Sequence, residues 1–142
     1  MNPATPTLPP VLIVDDDPDD LILIRRLFAK AGVKNPIVTF EDGFMAQQFL
    51  QGVCSVPDGN LRPCLIFTDL KMPQMDGFEF FTWVRQHKVL RDVKVIMLSG
   101  STLASDVERA KALGIDKYLT KLPKPEVIAA LVASAGKAGR DS

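Results

Sequence analysis

The chain has 142 residues, 46% hydrophobic and 24% charged, which fits one compact domain of a globular protein. Seventeen Lys and Arg balance seventeen Asp and Glu, and this zero formal charge argues against a dedicated nucleic-acid or membrane-surface binder, which would carry a basic excess. Cys54 and Cys64 form no metal-ligand pattern, and no apolar run approaches the ~20 residues of a membrane span, so a cytoplasmic protein with reduced thiols is expected.

Met1 to Pro10 holds four prolines and no basic-then-apolar block, and is expected to be a flexible tail rather than a signal peptide. Val11-Leu12-Ile13-Val14 is a short apolar, β-branched run, the pattern of a buried parallel strand. Pro18, after Asp17, suits the first turn of a helix that carries Leu21, Ile24, Leu27, Phe28 and Ala31 on one side and stops at Gly32. Ile37 to Phe40 predicts a second strand, and Phe44, Ala46, Phe49 and Leu50 a second helix ending near Gly52. Val56 to Asn60 has the turn residues of a loop.

Cys64 to Thr68 predicts a third buried strand, and a helix after Asp76-Gly77 turns Phe78, Phe81 and Val84 inward. Val93 to Leu98 is the fourth strand. Leu103, Val107, Ala110 and Leu113 make the inner stripe of a helix capped by Gly114. Tyr118 to Thr120 is a fifth strand, and Pro125 opens a helix lined by Val127, Ile128, Leu131, Val132 and Ala135. The division expected is a tail over residues 1–10, one domain over 11–135 and a second tail over 136–142, with no room after Ala135 for another domain. Strand and helix alternate five times, which predicts a parallel sheet covered on both faces.

In such a sheet, function gathers outside the carboxyl ends of the strands. The polar residues at those ends are Asp15, Asp16 and Asp17 after the first strand, Asp69 after the third, Ser99 and Gly100 after the fourth and Lys121 after the fifth. Carboxylates crowded in one crevice repel each other, and a hard divalent cation such as Mg²⁺ removes the conflict. Carboxylates, a hydroxyl and one ammonium suit phosphoryl transfer, in which catalysis is positioning and charge neutralisation. Asp69 is the candidate nucleophile, because no Cys or His stands at a strand end and an aspartyl phosphate is an accepted covalent route. Asp17, just before Pro18, reads better as a helix cap. Lys71 reads equally as a cation over the phosphoryl site or as a solvated loop lysine. Arg25, Arg26 and Lys30 read as a solvated helix face, and His87 is given no role.

These residues resemble a known family. Val11 to Asp17 is similar to the opening of a response-regulator receiver domain, a CheY-like phosphoacceptor. Thr68-Asp69-Leu70-Lys71-Met72-Pro73-Gln74-Met75-Asp76-Gly77 resembles its phosphorylation loop. Val95 to Gly100 resembles its fourth strand, and Gly114 to Lys121 the segment with its switch aromatic and lysine. The resemblance implies a doubly wound, flavodoxin-like (βα)5 sandwich with strand order 2-1-3-4-5. It also implies direct Mg²⁺ ligation by Asp16, water-mediated ligation by Asp15, Asp69 as ligand and phosphoacceptor, and the backbone carbonyl of Lys71 completing the metal site. Lys121 and Ser99 would hold the phosphoryl oxygens, and Tyr118 would turn inward as Ser99 moves. The implied partners are a histidine kinase or phosphotransfer protein, and a downstream protein target reached by contact. The chain would act as a switch rather than an enzyme. The stretch Gly52 to Pro63, longer than the loop of the simplest members, resembles that of stand-alone receivers that partner bacterial phytochrome-type kinases.

One departure matters. The family places Pro after the lysine in a cis peptide that aims the lysine inward, whereas this chain reads Lys121-Leu122-Pro123. A cis bond before Leu costs ~2.5–4 kcal/mol, so a trans bond is expected, with Lys124-Pro125 as the competing lysine. Two other classes are compatible with an Asp-rich sheet edge. A haloacid-dehalogenase-like phosphatase would carry its nucleophile after the first strand under a cap, and a phosphorylation-silent interaction module would lack the complete polar set.

Overall fold

The computed structural model describes residues 8–55, 62–100 and 103–141. Five strands alternate with five α-helices: β1 Val11–Val14, α1 Pro18–Lys30, β2 Ile37–Phe40, α2 Gly43–Ser55, β3 Leu65–Asp69, α3 Gly77–Arg85, β4 Lys94–Ser99, α4 Ala104–Leu113, β5 Lys117–Thr120 and α5 Pro125–Asp141. All pairings are parallel and the order is β2-β1-β3-β4-β5, the doubly wound topology expected.

Strand side chains alternate between two cores. Leu12, Val14, Ile66 and Val95 pack with Ala46 and Leu50 of α2 and Phe80, Phe81 and Val84 of α3. Val11, Ile13, Leu65, Phe67, Ile96 and Leu98 pack with Leu21, Ile24 and Phe28 of α1 and Ile128 of α5. Phe28 meets Phe67 edge to face at 5.2 Å between centroids. A third, smaller cluster joins Leu70, Phe78, Met97 and Ala110, with Tyr118 against it, and seats α4. β1 and β3 are buried on both faces, which is why Val11 to Val14 and Leu65 to Phe67 are unbroken apolar runs.

Helix ends follow local chemistry. Asp17 caps α1, its carboxylate accepting from the Asp19 N–H at 2.9 Å with Pro18 just inside. Asp76 and Glu79 close a reciprocal capping box on α3. Gly114 ends α4 at φ 83°, a left-handed conformation that glycine adopts without strain.

Several expectations need correction. β3 and β4 each begin and end one residue later than their apolar runs suggest, so Asp69 and Ser99 are the last strand residues. α2 continues past Gly52 to Ser55. α5 continues past Ala135 to Asp141, because Gly136 and Gly139 lower helix propensity without breaking a helix. Of the stripe expected on α4, Ala110 is buried, while Leu103 and Leu113 are 59% and 39% exposed. Phe44 is likewise exposed. Part of the expected N-terminal tail is tied down: the Pro9 carbonyl accepts from Asn35 Nδ2 at 2.8 Å and the Pro10 carbonyl from the Cys64 N–H at 3.0 Å. The remainder of that tail, over residues 1–7, and the predicted loop Val56 to Asn60 lie outside the described residues. Arg25 is not simply solvated, since its Nη2 donates to Thr39 Oγ1 on the edge strand at 3.2 Å. No helix among the described residues is long and apolar enough to cross a membrane.

Candidate functional site

The parallel strands deliver their last residues to one edge. Asp15 follows β1 and is buried, with Asp16 beside it exposed. Asp69 and Ser99 end β3 and β4 and are buried, and Lys121 follows β5. The carboxylates of Asp15, Asp16 and Asp69 present oxygens within 4.8 Å of one another.

Backbone donors orient two of them. Asp15 Oδ1 accepts from the Asp17 N–H at 2.9 Å, and Asp69 Oδ1 accepts from the Leu70 N–H at 2.8 Å. The opposite oxygens face Lys121, whose Nζ lies 2.9 Å from Asp15 Oδ2 and 3.2 Å from Asp69 Oδ2. The Lys121 backbone N–H donates to the Ser99 carbonyl at 2.9 Å, which stitches the lysine to the end of β4.

Lys121 has a third carboxylate that the sequence reading did not single out. Asp20, in the first turn of α1, accepts a hydrogen bond from Nζ at 2.8 Å. Its signal in the sequence is faint. An acidic residue in a helix's first turn is ordinary, and only the fold shows that this turn overhangs the strand ends.

Electrostatics follow from this crowding. Burial, then the charge of Asp15, raises the Asp69 carboxyl to about 6, against the pull of Lys121. Burial raises Asp15 as well. Burial alone would lower Lys121, but hydrogen bonds to Asp20 and Asp15 and the charges of Asp69 and Asp15 outweigh it and hold the ammonium above the ordinary lysine range.

The cluster fits a hard cation. Its donors are all carboxylate oxygens, the set Mg²⁺ and related ions prefer. Asp15 Oδ2 is buried, and what offsets its charge is the Lys121 ammonium at 2.9 Å. Among the described residues, Asp15, Asp20 and Asp69 pair with the Lys121 ammonium and Asp16 adds a further carboxylate beside Asp15 and Asp69, so the edge has negative charge to spare.

The remaining candidates separate cleanly. Tyr118 is half-buried in β5, paired with Met97 and packed on the Leu70, Phe78, Met97 and Ala110 cluster. Lys71 is exposed and its Nζ stands 3.8 Å from Asp106 of α4. Asp17 is the helix cap expected. Lys124 is exposed and starts α5, its carbonyl accepting from the Val127 and Ile128 N–H groups. No cis peptide occurs among the described residues, so Lys121-Leu122 is trans as expected.

The response regulator receiver domain family matches residues 11–133. The chain belongs to that family. Among curated relatives, response regulator Rcp1 of Synechocystis sp. is 30% identical over 111 residues, which is 78% of this chain and 75% of Rcp1. A solved structure of the bacteriophytochrome response regulator AtBRR superposes with a TM-score of 0.76 at 30% identity, covering 92% of this receiver and 94% of that chain. Rcp1 has been solved in a Mn²⁺-bound form, with a TM-score of 0.69, 27% identity and coverage of 89% and 90%. Receivers of this family are phosphoacceptor switches of two-component systems, and this chain is one.

Proposed function

We propose that Asp69 is the phosphoacceptor, charged by a histidine kinase or histidine phosphotransfer protein with Mg²⁺ at Asp15, Asp16 and Asp69. The observation that carries this reading is the convergence of three carboxylates and one lysine at the ends of β1, β3 and β5. In the transfer, an Asp69 carboxylate oxygen attacks phosphorus. The bond from phosphorus to the donor's nitrogen breaks, and the donor leaves with that electron pair. Mg²⁺, when bound, neutralises the charge that gathers on the phosphoryl oxygens. Asp16 directly and Asp15 largely through water would hold the cation, with the Lys71 backbone carbonyl as a further ligand. Lys121 moves from the Asp69 carboxylate to a phosphoryl oxygen, and Ser99 donates to another.

The output follows from charge. A phosphoryl group brings close to two negative charges to the edge. Ser99 and Lys121 bind that state better, which shifts an existing equilibrium, and Tyr118 turns inward on the cluster of Leu70, Phe78, Met97 and Ala110. The surface remodelled is that of α4, β5 and α5, where Leu103, Leu113 and Leu122 are exposed and offer apolar contact to a protein target. The receiver acts in the cytoplasm as a switch and not as a turnover enzyme.

Incubation with a small acyl phosphate tests this. Intact mass should show one added phosphoryl group with Mg²⁺ and none with chelator. Equal labelling in both contradicts it.

A further inference from the structure

The trans Lys121-Leu122 bond poses a question the fold answers elsewhere. A lysine side chain has four rotatable bonds and needs something to aim it. The Lys121 ammonium has three donors, and three carboxylates from three elements surround it: Asp15 after β1, Asp69 of β3 and Asp20 of α1. These three are not equivalent. Asp15 and Asp69 belong to the cluster that could hold a cation, and Asp69 is also the acceptor; Asp20 is outside that cluster. Once a cation and a phosphoryl group engage the first two, Asp20 alone keeps a carboxylate for Lys121. It also makes the shortest contact, a hydrogen bond of 2.8 Å, from the first turn of a helix anchored by Leu21, Ile24 and Phe28.

We propose that Asp20 is the positioning residue for Lys121, holding its ammonium over Asp69 before and during phosphorylation in place of an aiming proline. The inference rests on the reading of Asp69 as phosphoacceptor. Asp20 touches neither phosphoryl group nor metal in this scheme and acts through Lys121.

The test compares wild type with Asp20→Ala, Asp20→Asn, Asp20→Glu, Asp19→Ala, Lys121→Ala and the Asp20→Ala/Lys121→Ala double variant. Labelling rates from a small acyl phosphate are followed by intact mass at saturating Mg²⁺, with a thermal melt of each protein. Asp20→Ala should label about three- to tenfold more slowly, and in the Lys121→Ala background it should change the rate by less than about twofold, since groups acting as one unit are not additive. Asp20→Asn, which keeps an acceptor and drops the charge, should fall between, and Asp20→Glu should recover most of the rate. Asp19→Ala removes the same charge from the same turn and should stay within about twofold of wild type.

The Lys121 ammonium is read independently by ¹H–¹⁵N NMR. Its signal should be slowly exchanging in wild type and Asp19→Ala and lost in Asp20→Ala. Labelling of Asp20→Ala at or above the wild-type rate, or an equal slowing in both backgrounds, overturns the inference. So does an ammonium signal unchanged by Asp20→Ala. Failure of wild type to label at all would instead overturn the Asp69 reading, and the ammonium signal would still judge Asp20.

Discussion

Asp69 stands where burial disfavours a charge, and that has a consequence for stability. Its carboxyl is raised to about 6 by burial and by Asp15, against an ordinary value of 3.8. Between those values the native chain binds more protons than the unfolded chain, so this group's contribution to stability falls as pH rises through the window. Above pH 6 the full cost is present; below about 4 it is gone. Asp69→Asn should therefore stabilise the metal-free protein at neutral pH by roughly 1–3 kcal/mol, and the gain should shrink as pH falls from 6 toward 4. Denaturant unfolding of both proteins in chelator, across that range, checks the sign.

Gly77 is a second residue with a cost attached to change. A Cβ there would meet the Asp69 carbonyl oxygen at 2.5 Å, Met97 Sδ at 2.7 Å and Leu70 Cα at 3.0 Å. Two of these are backbone and cannot step aside without moving Asp69. Gly77→Ala should cost about 1–3 kcal/mol and slow labelling of Asp69, measured by unfolding midpoint and intact mass. The glycine was legible in the sequence as a helix start after Asp76. The close approach was not, because it depends on where the end of β3 passes.

At the scale of elements, the start of β4 is held by side chains from its neighbours. Asp116, just before β5, accepts from the Val95 N–H at 2.7 Å and from Arg85 Nη2 at 2.8 Å, and Arg85 Nη1 donates to the Val93 carbonyl at 2.7 Å. Asp116→Ala leaves the Val95 N–H without this acceptor and should cost about 1–3 kcal/mol in unfolding free energy, with Mg²⁺ affinity unchanged. No spacing in the sequence announces this clip, since its members lie far apart in the chain and meet only when α3, β4 and β5 assemble.

What was legible is the local chemistry. Apolar runs such as Val11 to Val14 marked the buried strands, and Asp17-Pro18, Asp76-Gly77 and Gly114 marked helix ends, because each acts within one turn of chain. What was not legible depended on partners. The α4 stripe has the right period, yet Leu103 and Leu113 stay exposed, because only Ala110 reaches the core cluster. Asp15, Asp16, Asp69, Ser99 and Lys121 were placed at one edge by asking what stands at each strand end, a question that the βα alternation makes possible. The contact of Asp20 with Lys121 was not legible, because Asp20 reaches the same edge from a helix.

At the scale of the whole molecule, one sheet edge gathers the charge, and in the proposed switch the surface of α4, β5 and α5 reads it out. Lys121 links the two, being bonded through its backbone to Ser99 and through Nζ to the carboxylates. Lys121→Ala should uncouple occupancy from response: beryllofluoride binds, but amide shifts around Ser99 and Tyr118 change far less than in wild type. Lys124→Ala should leave the response nearly intact, since Lys124 is exposed at the start of α5. A lost response in Lys124→Ala beside a normal one in Lys121→Ala would move the functional lysine along the chain.

The claim beneath all of this is that Asp69 takes the phosphoryl group. Borohydride reduces an acyl phosphate to an alcohol, so a phosphorylated aspartate is read as homoserine in its peptide. After labelling with a small acyl phosphate and Mg²⁺, peptide sequencing by mass spectrometry should find homoserine at position 69 and at no other aspartate, with none when Mg²⁺ is chelated. Homoserine at Asp15 or Asp16, or labelling of Asp69→Asn at the wild-type rate, would contradict it.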